Sequence, residues 1–158
     1  MLNWSEKAWR GAYEVDALLG YVAGVPTYSL AAELSLNQIV HGQLPASSEY
    51  PRALAESGAR RWPLHADMSL AHARMRAARG DVVGTVGQAA KAVIETAHGQ
   101  ACQRRVWVLN EKKLVERMGL GGLHAAFSRV PASIPGLFAW VESLRSALAI
   151  GASEAVIS

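Results

Sequence analysis

Apolar residues recur along this chain at helical rather than strand spacing. Asn3 with Glu6 three positions later reads as a capping box, and Trp4, Ala8, Ala12, Val15, Leu19 and Val22 then repeat with a period near 3.6, predicting a first helix from Trp4 to Tyr21. Gly24-Val25-Pro26 interrupts it, and a second helix with Tyr28, Ala32, Leu36 and Ile39 on its apolar face is predicted to run to Gly42. After a loop over 43–50, the pattern predicts a short helix over Pro51–Ala59. A longer one over Arg60–Arg79 follows, with Leu64, Met68, Ala71, Met75 and Ala78 as its core-facing stripe. Gly80 and Asp81 form a stop and a cap. The next stripe is Val82, Val86, Ala89, Ala90, Val93, Ala97 and Ala101, so the two long helices are predicted to run antiparallel. Asn110 caps a helix to Met118, and Ser133-Ile134-Pro135 opens a last one carrying Leu137, Phe138, Val141, Leu144 and Leu148. The segment Val106–Leu109 is too short to count as a strand. The expected fold is all-α: an antiparallel up-down bundle of five to six helices forming one domain over 1–150, with a frayed tail over 151–158.

Composition adds limits to this picture. The 158 residues are 51% hydrophobic and 18% charged, which fits one folded domain. No apolar run reaches the ~20 residues of a membrane span, and the N-terminus lacks the basic-then-apolar order of a signal peptide, so a cytoplasmic address is expected. The single cysteine, Cys102, has no partner for a disulfide and no metal-ligand spacing around it, so no metal site is expected. A net charge of +3 permits nucleic-acid binding without indicating it. The only aspartates, Asp16, Asp67 and Asp81, are widely spaced, which leaves little from which to build a two-metal site.

Candidate chemistry lies in polar stripes on the middle helices. Glu33, Asn37 and His41 fall at i, i+4 and i+8 on one predicted face, and Lys91, Glu95, His98 and Cys102 line another. A Glu beside a His on a partly covered helix has the makings of a general base, because burial raises a carboxyl's pKa and a neighbouring cation lowers it. A plain solvated face explains such stripes equally well, and it is the better account of His65, Ser69, His72, Arg76 and Arg79. Asn110-Glu111-Lys112, framed by Arg104, Arg105 and Trp107, is the densest polar group of the second half. A helix cap accounts for Asn110 and Glu111. It does not account for Lys112, a cation at the unfavourable end of a helix dipole, which asks for a carboxylate or a phosphate. A helix-turn-helix outline over 111–129 fails because its second helix is glycine-rich and apolar where base-reading side chains are needed.

Several runs taken together resemble a known family. Gly20-Tyr-Val-Ala-Gly-Val-Pro-Thr-Tyr-Ser-Leu30, Glu33-Leu-Ser-Leu-Asn37, His41-Gly42, Ala78-Arg-Gly-Asp-Val-Val-Gly84 and Trp107-Val-Leu-Asn-Glu-Lys112 resemble the C-terminal helical half of nucleotidyltransferase-domain proteins, similar to the kanamycin and lincosamide nucleotidyltransferases. The resemblance spans roughly 21–148. It implies a domain that binds a small polar substrate, an aminoglycoside-like molecule being one example, without the catalytic half that carries a Gly-Ser turn and paired aspartates. On that reading the chain is not catalytic alone and binds no cofactor by itself. ATP and Mg²⁺ enter only with a nucleotidyltransferase catalytic chain as partner. The resemblance also implies a carboxylate that accepts the substrate's proton, Glu95 first and Asp67 second. Glu33, Asn37, His98, Trp107, Asn110, Glu111 and Lys112 would then be substrate-binding positions. Rival expectations are a helical interaction module of the toxin–antitoxin type and, below it, a DNA-binding regulator whose binding falls with salt. Apolar surface left exposed on a lone bundle would favour a homodimer, and a homodimer indifferent to any catalytic chain would point to a stand-alone binding or interaction domain.

Overall fold

The computed structural model describes residues 2–17, 20–43 and 49–154. It is mostly helical, with a two-residue antiparallel ladder as the strand structure among those residues. The elements are α1 (Leu2–Trp9), β1 (Val15–Asp16), β2 (Val25–Pro26), α2 (Ser29–Leu36), α3 (Arg52–Ala77), α4 (Val82–Gln103), α5 (Leu114–Arg117), a 3₁₀ turn at Gly121–Leu123, α6 (His124–Phe127) and α7 (Ile134–Glu154). No helix among the described residues is long and apolar enough to cross a membrane.

The centre is the hairpin of α3 and α4. Asp81 caps α4, accepting from the Gly84 amide at 2.8 Å and from Arg76 at 2.7 Å. A side chain at Gly84 would collide with that Asp81–Arg76 pair. The two helices meet in antiparallel register: Arg76 lies by Gly84, Ser69 by Glu95, Trp62 by His98 and Gly58 by Cys102. Small residues hold them close. Ala66, Ala73 and Ala77 of α3 face Ala89, Ala92, Ala97 and Ala101 of α4, all buried, and a Cβ on Gly58 would lie 2.8 Å from the Cys102 Cβ. The C-terminal helix α7 closes this core with Trp140, Val141, Leu144 and Leu148, and the turns beyond α4 add Val108, Leu114, Met118 and Leu120. Ser133 caps α7 through its hydroxyl, which accepts from Gly136 at 3.3 Å.

The chain before α3 packs through a second, aromatic cluster. Tyr13 meets Tyr28 edge-on at 5.1 Å, Trp62 donates to the Tyr28 hydroxyl at 3.1 Å, and the Arg61 guanidinium lies 4.1 Å over the Tyr13 ring while donating to its carbonyl at 2.6 Å.

Several sequence expectations change here. The first helix ends at Trp9 rather than Tyr21, because Gly11 turns the chain at φ +72° against the Ala53 carbonyl and Val15–Asp16 then pair with Val25–Pro26. The second helix ends at Leu36, where Asn37 becomes extended, so Glu33, Asn37 and His41 do not share one helix face. The helices expected over 51–59 and 60–79 are one continuous helix. Pro63 sits in its interior, with its ring against Gly99 of α4. The stripe expected to face the core, Leu64, Met68, Ala71, Met75 and Ala78, is exposed, because the small-residue face of α3 is the one that approaches α4. The α7 backbone also continues to Glu154, past the Gly151 at which the apolar pattern stops.

Candidate functional site

A cleft of about 580 Å³ opens between the middles of α3 and α4 and residues 20–24, which precede the second short strand. Its walls are Val15, Ala17, the strap Gly20-Tyr21-Val22-Ala23-Gly24, His65 of α3, and Lys91 and Glu95 of α4. Glu95 is the unusual residue, a carboxyl whose side chain is 3% exposed yet reaches the cleft wall. Ser69 donates to its Oε2 at 2.7 Å, and the Lys91 ammonium lies 3.9 Å from its Oε1. Burial pushes its pKa above the ordinary carboxyl value. The Ser69 hydrogen bond and Lys91 oppose that shift, and the negative charge of Glu111 reinforces it. A buried carboxyl with one oxygen fixed by a hydroxyl and a cation at the other is suited to exchange a proton with a bound hydroxyl or amine. His65, half-buried on the opposite wall, has its pKa lowered by burial and by Arg61 and Lys91, which favours its neutral form.

The strap is held from the far side of the sequence. Glu111 accepts the amides of Val22 at 2.5 Å and Ala23 at 2.9 Å, while the Tyr21 hydroxyl donates to the Leu109 carbonyl at 2.8 Å. Burial works against ionisation of Glu111, but the His98 imidazole and the two strap amides outweigh it, leaving its pKa below the usual value. His98 lies behind, 1% exposed, stacked on Trp62 at 4.5 Å, with Nε2 3.7 Å from Glu111 Oε1. Neither of its ring nitrogens has a hydrogen-bond partner within the described protein. The segment bearing Glu111 is turned toward the strap by reversals at both ends: Arg105 and Lys113 each adopt the left-handed conformation at φ 55°, uncommon for residues with a Cβ.

Of the residues singled out from the sequence, the fold brings Glu95, His98 and Glu111 together. The others are elsewhere. Asp67 lies on the opposite side of the α3/α4 hairpin, beside a separate cavity, and pairs with Arg145 at 3.5 Å with its side chain 68% exposed. Glu33 and Asn37 are exposed, with the Asn37 amide turned back on the Leu34 carbonyl. Trp107 packs on Tyr50 at 4.3 Å and not on the cleft. Asn110 closes a turn by accepting the Lys112 amide at 3.0 Å, and the Lys112 side chain is exposed ahead of α5 rather than inside a first helical turn. Cys102, though in line with Glu95 and His98 on α4, is buried in the aromatic cluster, 3.8 Å from the Tyr28 hydroxyl.

Ser69, Tyr21 and the strap amides were not legible as site residues. The available signal was the pair Gly20 and Gly24, which in the structure sit at φ +90° and +97° and flank a segment that is not helical. Among the described residues no three His, Cys, Asp or Glu side chains converge as a metal-binding group. Comparison of the chain with protein-family models, with curated proteins and with solved structures returns no match.

Proposed function

We propose that this chain is the substrate-binding part of a two-part nucleotidyltransferase, holding a small polar molecule of the aminoglycoside type in the cleft with one hydroxyl or amine against Glu95. The observation that carries the reading is Glu95 itself, a buried, proton-avid carboxyl on the wall of a cavity sized for a small molecule. Further support comes from the strap. Gly20–Leu30 and Trp107–Lys112, two of the runs that resemble the helical half of such enzymes, are joined at the cleft by the Glu111 and Tyr21 hydrogen bonds. In the transfer, the substrate oxygen bonds to the α-phosphorus of the nucleotide as pyrophosphate leaves, and the hydroxyl proton passes to Glu95. The nucleotide and Mg²⁺ are held by the separate catalytic chain. Asp67, exposed and away from the cleft, is the weaker candidate for the base. The same reading takes the helices as one up-down bundle, supported by the α3/α4 hairpin and by the packing of α7 against it.

The test is to titrate the chain with aminoglycosides calorimetrically and then to add a nucleotidyltransferase chain bearing the Gly-Ser turn and paired aspartates, following Mg²⁺-dependent consumption of ATP. Glu95→Gln is expected to lower turnover by about a hundredfold or more while changing substrate affinity only a few-fold. Turnover that survives Glu95→Gln, or a cleft that takes up no such ligand, overturns the proposal.

A further inference from the structure

The exposed apolar face of α3 carries an inference that does not depend on what the cleft binds. Leu64, Met68, Ala71, Met75 and Ala78 follow one another at spacings of four, three, four and three, the heptad spacing of a helix seam. The face they define lies opposite the one that packs on α4. Leu64, Met68 and Met75 are 62%, 60% and 54% exposed. A contiguous exposed apolar row of this kind is the mark of an interaction surface, since its large side chains contribute nothing to the isolated fold.

The geometry points to a second copy of this chain as the occupant, its α3 lying antiparallel across the first with Ala71 at the two-fold axis. The pattern is self-complementary in that arrangement. Leu64 faces the small Ala78 of the other copy, Met68 faces Met75, and the two Ala71 residues allow close approach at the centre. Charge supports the same pairing. On one flank of the seam Asp67 comes opposite Arg74 of the second copy, twice by symmetry. Both side chains are more than half exposed and hold their present partners on α7 loosely, Asp67 with Arg145 at 3.5 Å and Arg74 with Glu142 at 3.4 Å. A parallel pairing would set this flank against the opposite one, with Asp67 and Arg74 toward the His65 and His72 side of the second copy, and would lose both Asp67–Arg74 contacts. The other flank runs along the cleft side of α3, where His65 lines the cleft and Arg79 lies beyond it in the groove formed with Gln88. In the antiparallel pair Arg79 of the second copy comes to His65, so each cleft gains a cation at its mouth from the other chain.

Sedimentation equilibrium of the full chain tests this, at concentrations up to about 0.1 mM. The wild-type chain is expected to dimerise. Asp67→Arg and Arg74→Asp are each expected to raise the dissociation constant about tenfold, because each turns two symmetry-related attractions into repulsions. An equimolar mixture of the two variants is expected to regain a wild-type dissociation constant as a heterodimer. Met68→Glu, at a position exposed in the single chain, is expected to leave a folded monomer by circular dichroism. A wild-type monomer over the whole range overturns the inference. So does a dimer indifferent to Met68→Glu, or charge variants that dissociate and fail to complement each other when mixed.

Discussion

Glu111→Gln isolates the interaction that ties the strap to the rest of the fold. The native carboxylate accepts two backbone amides at 2.5 and 2.9 Å and sits 3.7 Å from the buried His98 ring. Hydrogen bonds to a charged acceptor contribute about 1.5–3 kcal/mol each, with the solvent-facing Val22 bond at the low end. A glutamine keeps one acceptor oxygen but turns an NH₂ toward the other amide, so the net loss is about 2–3 kcal/mol. For a chain of this length that lowers Tm by roughly 5–10 °C if the strap unfolds with the core. If the strap opens alone, the loss appears locally instead. Amide hydrogen exchange separates the two cases: protection at Val22 and Ala23 is expected to fall about thirtyfold or more in the variant, with α3 and α4 amides following only in the first case. The pH dependence has a definite sign. Because the folded-state pKa of Glu111 is depressed, its contribution is present above the unfolded carboxyl pKa and disappears as pH falls through the folded value, so variant and wild type converge in acid. Unchanged protection at Val22 and Ala23 at neutral pH would refute the reasoning, whatever happened to Tm.

Two further outcomes are expected. Glu95 has a raised folded-state pKa, so its folded form binds the proton more tightly and wild-type stability declines as pH rises from the unfolded carboxyl pKa through the folded one; Glu95→Gln is expected to remove that decline, leaving the variant at least as stable as wild type at pH 8 and no more stable at pH 4 in urea titrations. Gly58→Ala would drive a methyl into the Cys102 side chain across the helix hairpin and is expected to cost about 1–3 kcal/mol, read as an earlier urea midpoint with an unchanged slope.

What the sequence disclosed about the fold follows from where local signals decide it. The helix from Asp81 to Gln103 was legible because its cap, its small-residue stripe and its polar line all agree, and the line already contained Glu95 and His98. The N-terminal third was misleading, since the helical spacing of Ala12, Val15 and Leu19 continues through Gly11 to Asp16, where a turn and a strand pairing with Val25–Pro26 override it. The orientation of α3 was misread for a different reason. Hydrophobic size favoured Leu64, Met68 and Met75 as core, but alanine and glycine let two backbones come close enough to enclose Trp62, Leu70 and the Glu95–Ser69 pair, and that packing decides which face is buried. The partnership of Glu111 with the strap had no local signature at all, because it joins segments 88 and 89 residues apart.

That separation bears on the order in which the molecule assembles. The α3/α4 hairpin joins neighbours across a turn at Ala78–Asp81, so its loop-closure entropy is small and it can form early. The strap cannot be tied down until the chain has been made and folded as far as Glu111, with the two left-handed turns beside it already set. The cavity around Glu95 is therefore a late product of folding, and a growing polypeptide carries an open, unformed cleft until the segment bearing Glu111, 89 residues beyond Val22, has been laid down.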